Sequence, residues 1–135
     1  MKTAVRYYTR TGHTKLLADA IANAAGTQAK TVSVPLEEDV DILFLGSAVY
    51  ATKLDDEIVK FINSINVNVG KIVCFSSAAI LSGTYKQVKA AAEAKGFTVA
   101  DEEFFCKGAF GIIAKGRPNV DDAKAAAEFA KKFLD

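Results

Sequence analysis

Thr9-Arg10-Thr11-Gly12-His13-Thr14 concentrates hydroxyl groups where an apolar β-rich run passes straight into a helical pattern. A helix start offers backbone N–H groups without intrahelical partners and the positive end of the helix dipole, which together suit an anion. Three threonine hydroxyls can add hydrogen bonds to phosphate oxygens, and Gly12 lets the backbone come close. A compact turn of this kind suits a monophosphate. The competing reading is that Thr11 or Thr14 simply caps the helix, although three hydroxyls exceed what one cap requires. The spacing is neither GxxxxGK[ST] nor GxGxxG, so both nucleotide fingerprints are absent. Arg10, His13 and Lys15 add positive charge beside the turn. Arg10 or His13 giving charge-assisted bonds to a phosphate, and solvated charges at a helix start, are both open readings.

Two further segments have chemistry to offer. In Ser47-Ala48-Val49-Tyr50-Ala51-Thr52-Lys53, Tyr50 could stack on a flat ligand or tuck against a neighbouring loop. Ser76-Ser77-Ala78-Ala79-Ile80-Leu81-Ser82-Gly83 is small and hydroxylated, and suits close approach by a ring edge.

The elements that must position these segments follow from periodicity. Thr3–Tyr8 reads as a strand, and Lys15–Ala25 as a helix with Leu16, Leu17, Ala20, Ile21 and Ala24 inward, ended by Gly26. Thr27–Val34 reads as a half-buried strand suited to a sheet edge, and Asp41–Ser47 as a strand covered on both faces. Leu54–Ile65 is helical, Lys71–Ser76 a buried strand, Tyr85–Lys95 an alanine-rich helix closed by Gly96, and Phe97–Phe105 a more polar strand. Val120–Leu134 is a helix with Val120, Ala123, Ala127, Ala130 and Leu134 inward; Asn119 caps it, and Asp121 and Asp122 sit in its first turn, where the dipole favours negative charge. Strands alternating with helices imply a parallel sheet with helices on both faces. Only Pro35–Val40 separates the second strand from the third, whereas a parallel crossover normally needs about a dozen residues. One helical turn is expected there, with trimmed strand ends supplying the missing reach. In such a sheet ligands bind beyond the carboxyl ends of the strands, where all three segments fall.

Composition bounds the answer. The chain of 135 residues is half apolar and 24% charged, which is ordinary for one globular domain, residues 1–135. Seventeen basic against sixteen acidic residues leave a net charge of +1, so nucleic-acid binding by phosphate neutralisation is not expected. Cys74 and Cys106 lie in apolar runs without CxxC spacing and read as buried thiols in a reducing compartment. A single histidine, His13, argues against a metal site. No apolar stretch approaches the ~18 residues of a membrane span, and no secretory signal pattern is visible. The expectation is a soluble cytoplasmic protein without a membrane partner.

Across essentially its whole length the sequence resembles the flavodoxin family. The resemblance is carried by TxTGxT at Thr9, Thr11, Gly12 and Thr14, and by GSxVY at Gly46, Ser47, Val49 and Tyr50. The tail FxCKGxF at Phe104, Cys106, Lys107, Gly108 and Phe110, with Lys115-Gly116-Arg117-Pro118-Asn119 beyond, is similar to a subgroup of bacterial flavodoxin-like proteins. Flavodoxin is the type example of strand order 2-1-3-4-5 with FMN at the switch point. The resemblance therefore implies a three-layer α/β/α sandwich around a five-stranded parallel sheet of that order. It also implies non-covalent FMN, with its phosphate in Thr9–Thr14. The isoalloxazine would lie between the Ser47, Ala48, Val49, Tyr50, Ala51, Thr52 segment, with Tyr50 stacked, and a loop containing Ser77, Ala78, Ala79 and Gly83. Tyr85 is the alternative source of the second ring contact.

The implied function is a low-potential one-electron carrier between redox enzymes, with redox proteins as partners and no catalytic side chain of its own. Departures from the family pattern are a near-neutral charge, Ala51-Thr52 where family loops often place glycine, and the absence of an acidic segment with a second aromatic after the fourth strand. The long insertion of larger members is missing too, which marks a short-chain form. The alternative is an NAD(P)H-dependent flavin or quinone reductase on the same fold, which needs room for a second substrate over the flavin. A protoporphyrinogen dehydrogenase would carry an added membrane-facing segment, which is not seen. A signalling receiver domain needs acidic residues where Tyr7-Tyr8-Thr9 and Ser47-Ala48 stand. A flavin-free binding module on the same fold is the remaining reading.

Overall fold

The computed structural model describes residues 1–8, 13–48, 56–78, 85–107 and 119–134, with the backbone alone at His13, Ala48, Ser77, Ala78, Cys106 and Lys107. Five strands, β1 (Thr3–Tyr7), β2 (Ala29–Thr31), β3 (Val40–Ala48), β4 (Val69–Ala78) and β5 (Val99–Lys107), form one parallel sheet of order β2-β1-β3-β4-β5. Helices α1 (His13–Ala25), α2 (Asp56–Ser64), α3 (Tyr85–Ala94) and α4 (Val120–Lys131) complete it. The expected α/β/α sandwich and strand order are thus observed.

Alternation along each strand divides the core in two. Val5, Phe44, Val73 and Phe75 face Leu17, Ile21, Ala126 and Phe129 of α1 and α4. Ala4, Leu43, Leu45, Ile72 and Cys74 face Ile58, Phe61, Ile62 and Val88 of α2 and α3. β1, β3 and β4 therefore read as near-continuous apolar runs, because both their faces are covered.

α1 and α3 end alike. Gly26 and Gly96 adopt φ of 72° and 87°, and the residues after them close 6→1 bonds, Thr27 N–H to Ala22 O and Phe97 N–H to Ala92 O. This is the Schellman arrangement, and the left-handed position favours glycine. At α4, Asn119 accepts from the Asp122 N–H at 3.1 Å while the Asp122 carboxylate accepts from the Asn119 N–H at 2.9 Å, a reciprocal capping box.

Three expectations need correction. The buried face of α4 is Asp122, Ala126, Phe129 and Ala130, and Val120 is 65% exposed. The capping box turns Asp122 inward, which rotates the first turn away from the face the apolar spacing selects. In α1, Leu16 is 39% exposed, and Ala18 and Ala22 are buried beside Leu17 and Ile21. Small residues let α1 approach α4 closely, so alanine rather than leucine occupies the contact. Finally, Pro35–Val40 contains no helical turn.

The short crossover is built around Arg6 instead. β2 shrinks to Ala29–Thr31, so the connection to β3 runs from Val32 to Asp39. Arg6, 7% exposed, lies on the face where a crossover helix would otherwise pack. Its guanidinium donates from Nε to Val34 O at 2.8 Å, from Nη1 to Val5 O at 3.0 Å and from Nη2 to Pro35 O at 3.3 Å. A planar fork of donors can satisfy carbonyls that a helix would have satisfied internally. Burial lowers the Arg6 pKa, and nearby Glu37 opposes that shift.

Candidate functional site

The order β2-β1-β3 reverses direction between β1 and β3. A step in the sheet marks the same place. β1 ends at Tyr7, in register with Gly46, whereas β3 runs on through Ser47 and Ala48, paired with Ser76 and Ser77 of β4. Tyr8 N–H still donates to Gly46 O at 3.0 Å. Beyond that bond, among the described residues, β3 has no β1 partner, and α1 begins at His13. This carboxyl edge between β1 and β3 is where ligands bind in sheets of this topology.

Six of the expected site residues lie at this rim within regular structure: His13 and Thr14 open α1, Ser47 and Ala48 end β3, and Ser77 and Ala78 end β4 beside them. Thr14 and Ser47 are buried hydroxyls, at 0% and 2% exposure. Both have interaction partners, as buried hydroxyls at a helix start or a strand end normally do. Thr9, Arg10, Thr11, Gly12, Val49, Tyr50, Ala51, Thr52, Ala79 and Gly83 lie outside the described residues. Lys15 is engaged within its own helix, where its Nζ donates to the Asp19 carboxylate at 2.7 Å, and that bond raises its pKa.

Gly46 is required by packing. A Cβ there would fall inside the van der Waals envelope of the Phe75 ring, which lies across the β3 backbone one step below the rim. Cys74 is buried, and desolvation pushes its thiol up to about 12, with Glu103 adding to the shift. The thiolate is the reactive form, so Cys74 contributes no thiol chemistry at neutral pH.

A cleft of about 420 Å³ opens beside this edge on the β2 side, lined by Tyr7, Tyr8, Lys15, Thr31, Ser33 and Glu57. It joins the carboxyl ends of β1 and β2 to the first turns of α1 and α2.

Two polar residues, one on β4 and one on β5, were not among the expected site residues. Among the described residues, the buried Ser76 Oγ and the buried Glu103 Oε2 have no hydrogen-bond partner. The signal for Glu103 in the sequence is weak: in Phe97–Phe105 it shares the alternation of Phe97, Val99 and Phe105 with a second acid, Asp101. β5 also bulges just before it, advancing from Val99 to Glu103 while β4 advances from Ile72 to Cys74.

No protein-family model matches the chain. An uncharacterised protein of Methanocaldococcus jannaschii is 34% identical over 131 residues, covering 89% of this chain and 86% of the relative. Among solved structures, a flavodoxin from the domain Archaea superposes with TM-score 0.79 at 19% identity, covering 98% of this chain and 95% of the other. Oxidised Flavodoxin 1 of Bacillus cereus gives 0.76 at 18% identity, covering 99% and 97%. The apo form of an NADH:FMN oxidoreductase gives 0.64 at 11% identity, covering 98% and 88%. The molecule is a flavodoxin-like α/β protein. It belongs to the same family as the Methanocaldococcus jannaschii protein.

Proposed function

We propose that this chain is an FMN-binding electron-transfer protein, a low-potential one-electron carrier between redox enzymes in the cytoplasm, with redox proteins as its partners. The observation that carries the reading is the strand-order reversal between β1 and β3, where β3 extends past the end of β1 beside the start of α1 and the buried hydroxyls of Ser47 and Ser76. These residues fit a phosphorylated, polar-edged cofactor. The orphaned Ser76 Oγ in particular offers a hydrogen bond that no described protein group takes up.

In this reading Thr9–Thr14 and the first N–H groups of α1 hold the phosphate, with Arg10 or His13 adding charge-assisted bonds. Tyr50 stacks on one ring face, and the Ser77–Gly83 segment meets the ring edge. Bound FMN supplies reversible one- and two-electron chemistry, and the protein sets its potential and access. The chain's own task is binding, orientation and exclusion of water. Its net charge of +1 gives little long-range steering, so partner association should depend weakly on salt.

A visible absorption spectrum of the purified chain, titrated with FMN and separately with riboflavin, tests the reading. Flavin absorbance that perturbs on binding, with FMN held far more tightly than riboflavin, is the expected result. A chain that stays colourless with FMN in excess overturns it. Direct oxidation of NADPH by the FMN-loaded protein alone would make it a reductase instead of a carrier.

A further inference from the structure

The Ser76 hydroxyl and Glu103 Oε2 are the buried side-chain polar atoms without a hydrogen-bond partner among the described residues. They stand on the same face of the sheet, on adjacent strands. Cys74 is in register with Glu103, and Ser76 with Phe105. Ser76 therefore sits one pleat nearer the carboxyl rim than Glu103. The opposite face belongs to Phe75 and Phe104, which pack toward α4.

The first turn of α3 closes over this region. Tyr85 Oη donates to Ala100 O at 2.6 Å, inside the β5 bulge, and Lys89 Nζ lies 3.7 Å from the Asp101 carboxylate. The titratable groups around Glu103 are thus Cys74 from β4, Tyr85 and Lys89 from α3, and Asp101 from β5. Lys89 is taken by Asp101, and among the described residues no cation pairs with Glu103. A carboxylate so placed loses hydration without a compensating charge, and burial accordingly raises the Glu103 pKa above its ordinary value of 4.5.

We propose that Glu103 is a proton-accepting site coupled to the redox state of the cofactor, taking up a proton on its carboxylate when an electron arrives at the carboxyl rim above it. The inference rests on the FMN-carrier reading. An external one-electron reductant supplies the electron and bulk solvent supplies the proton. One O–H bond forms on Glu103, and reoxidation reverses both transfers. Cys74, the register partner of Glu103, lies four residues before the end of β4, about 13 Å from the rim. Negative charge arriving there raises the Glu103 ionisation further, so the reduced form holds the proton more firmly than the oxidised form.

Two measurements on wild type and Glu103→Gln test this, with Glu103→Met giving the same comparison should the glutamine variant not fold. The first, urea unfolding across pH, needs no cofactor. Wild type should lose stability as pH rises above about 4.5, because the folded state keeps a proton that the unfolded chain has released. The variant should lack that loss. The second is the midpoint potential of the FMN-loaded protein against pH. It should fall with pH in wild type across the window in which Glu103 titrates, and that component should vanish in the variant. Superimposable potential profiles overturn the coupling, and equal stability slopes overturn the retained proton. A chain that takes up no FMN overturns the carrier reading and the coupling together, while the urea data still report the proton.

Discussion

The ring of Phe75 occupies the space that a side chain at position 46 would need, and Phe75 itself is 1% exposed. Gly46→Ala should therefore destabilise the protein by about 1–3 kcal/mol through overpacking, read as a lower melting temperature. The neighbouring thiol makes a different prediction. With Cys106 replaced by serine, Cys74 should react with a thiol-specific reagent at neutral pH no faster than the chain unfolds, because its ionisation is pushed up to about 12. Rapid labelling of the folded protein would mean that the thiol is accessible after all. Both residues could be named from the sequence as part of apolar runs. Neither the ring-over-backbone contact nor the depth of the thiol is a local property, because each depends on which strand lies alongside.

Among the elements, the β2–β3 crossover departs furthest from the helix-connected pattern. Arg6 ties it down by three donations to main-chain carbonyls. Arg6→Ala would remove three donations to main-chain carbonyls that lie partly out of water, and should cost about 1–3 kcal/mol in urea unfolding. Arg6→Lys should recover only part, since an ammonium cannot reproduce the planar fork. The missing crossover helix was legible as a shortage of residues between two β-rich runs. The device replacing it was not, because an arginine in a strand pattern reads as an exposed position until the absent helix leaves its layer open. α4 shows the converse. Its cap was readable at Asn119 and Asp122, which are three apart. Its buried face was not, because the capping box that readable spacing creates turns the first turn away from the apolar stripe.

For the whole molecule, the carboxyl edge between β1 and β3 ties stability to cofactor. If FMN binds only the folded state, FMN at 100 times its dissociation constant should add about 2.7 kcal/mol of stability. A thermal melt with and without FMN reads that directly, and riboflavin at the same concentration should give a much smaller shift. Equal shifts would remove the phosphate from the account. The described helices include none long and apolar enough to cross a membrane.

The sequence by itself determined the alternation of strands and helices, the caps at Gly26, Gly96 and Asn119, and the clustering of hydroxyls at strand ends. These follow from local periodicity and backbone preference, which act over a few residues. Tertiary structure decided what depends on partners distant along the chain. The step between β1 and β3 arises from register, the role of Arg6 from a helix that is not there, and the isolation of Glu103 from the lack of any cation paired with it among the described residues. Packing and desolvation depend on three-dimensional neighbours, so a linear pattern can mark a polar residue in an apolar stripe but cannot say whether anything will meet it.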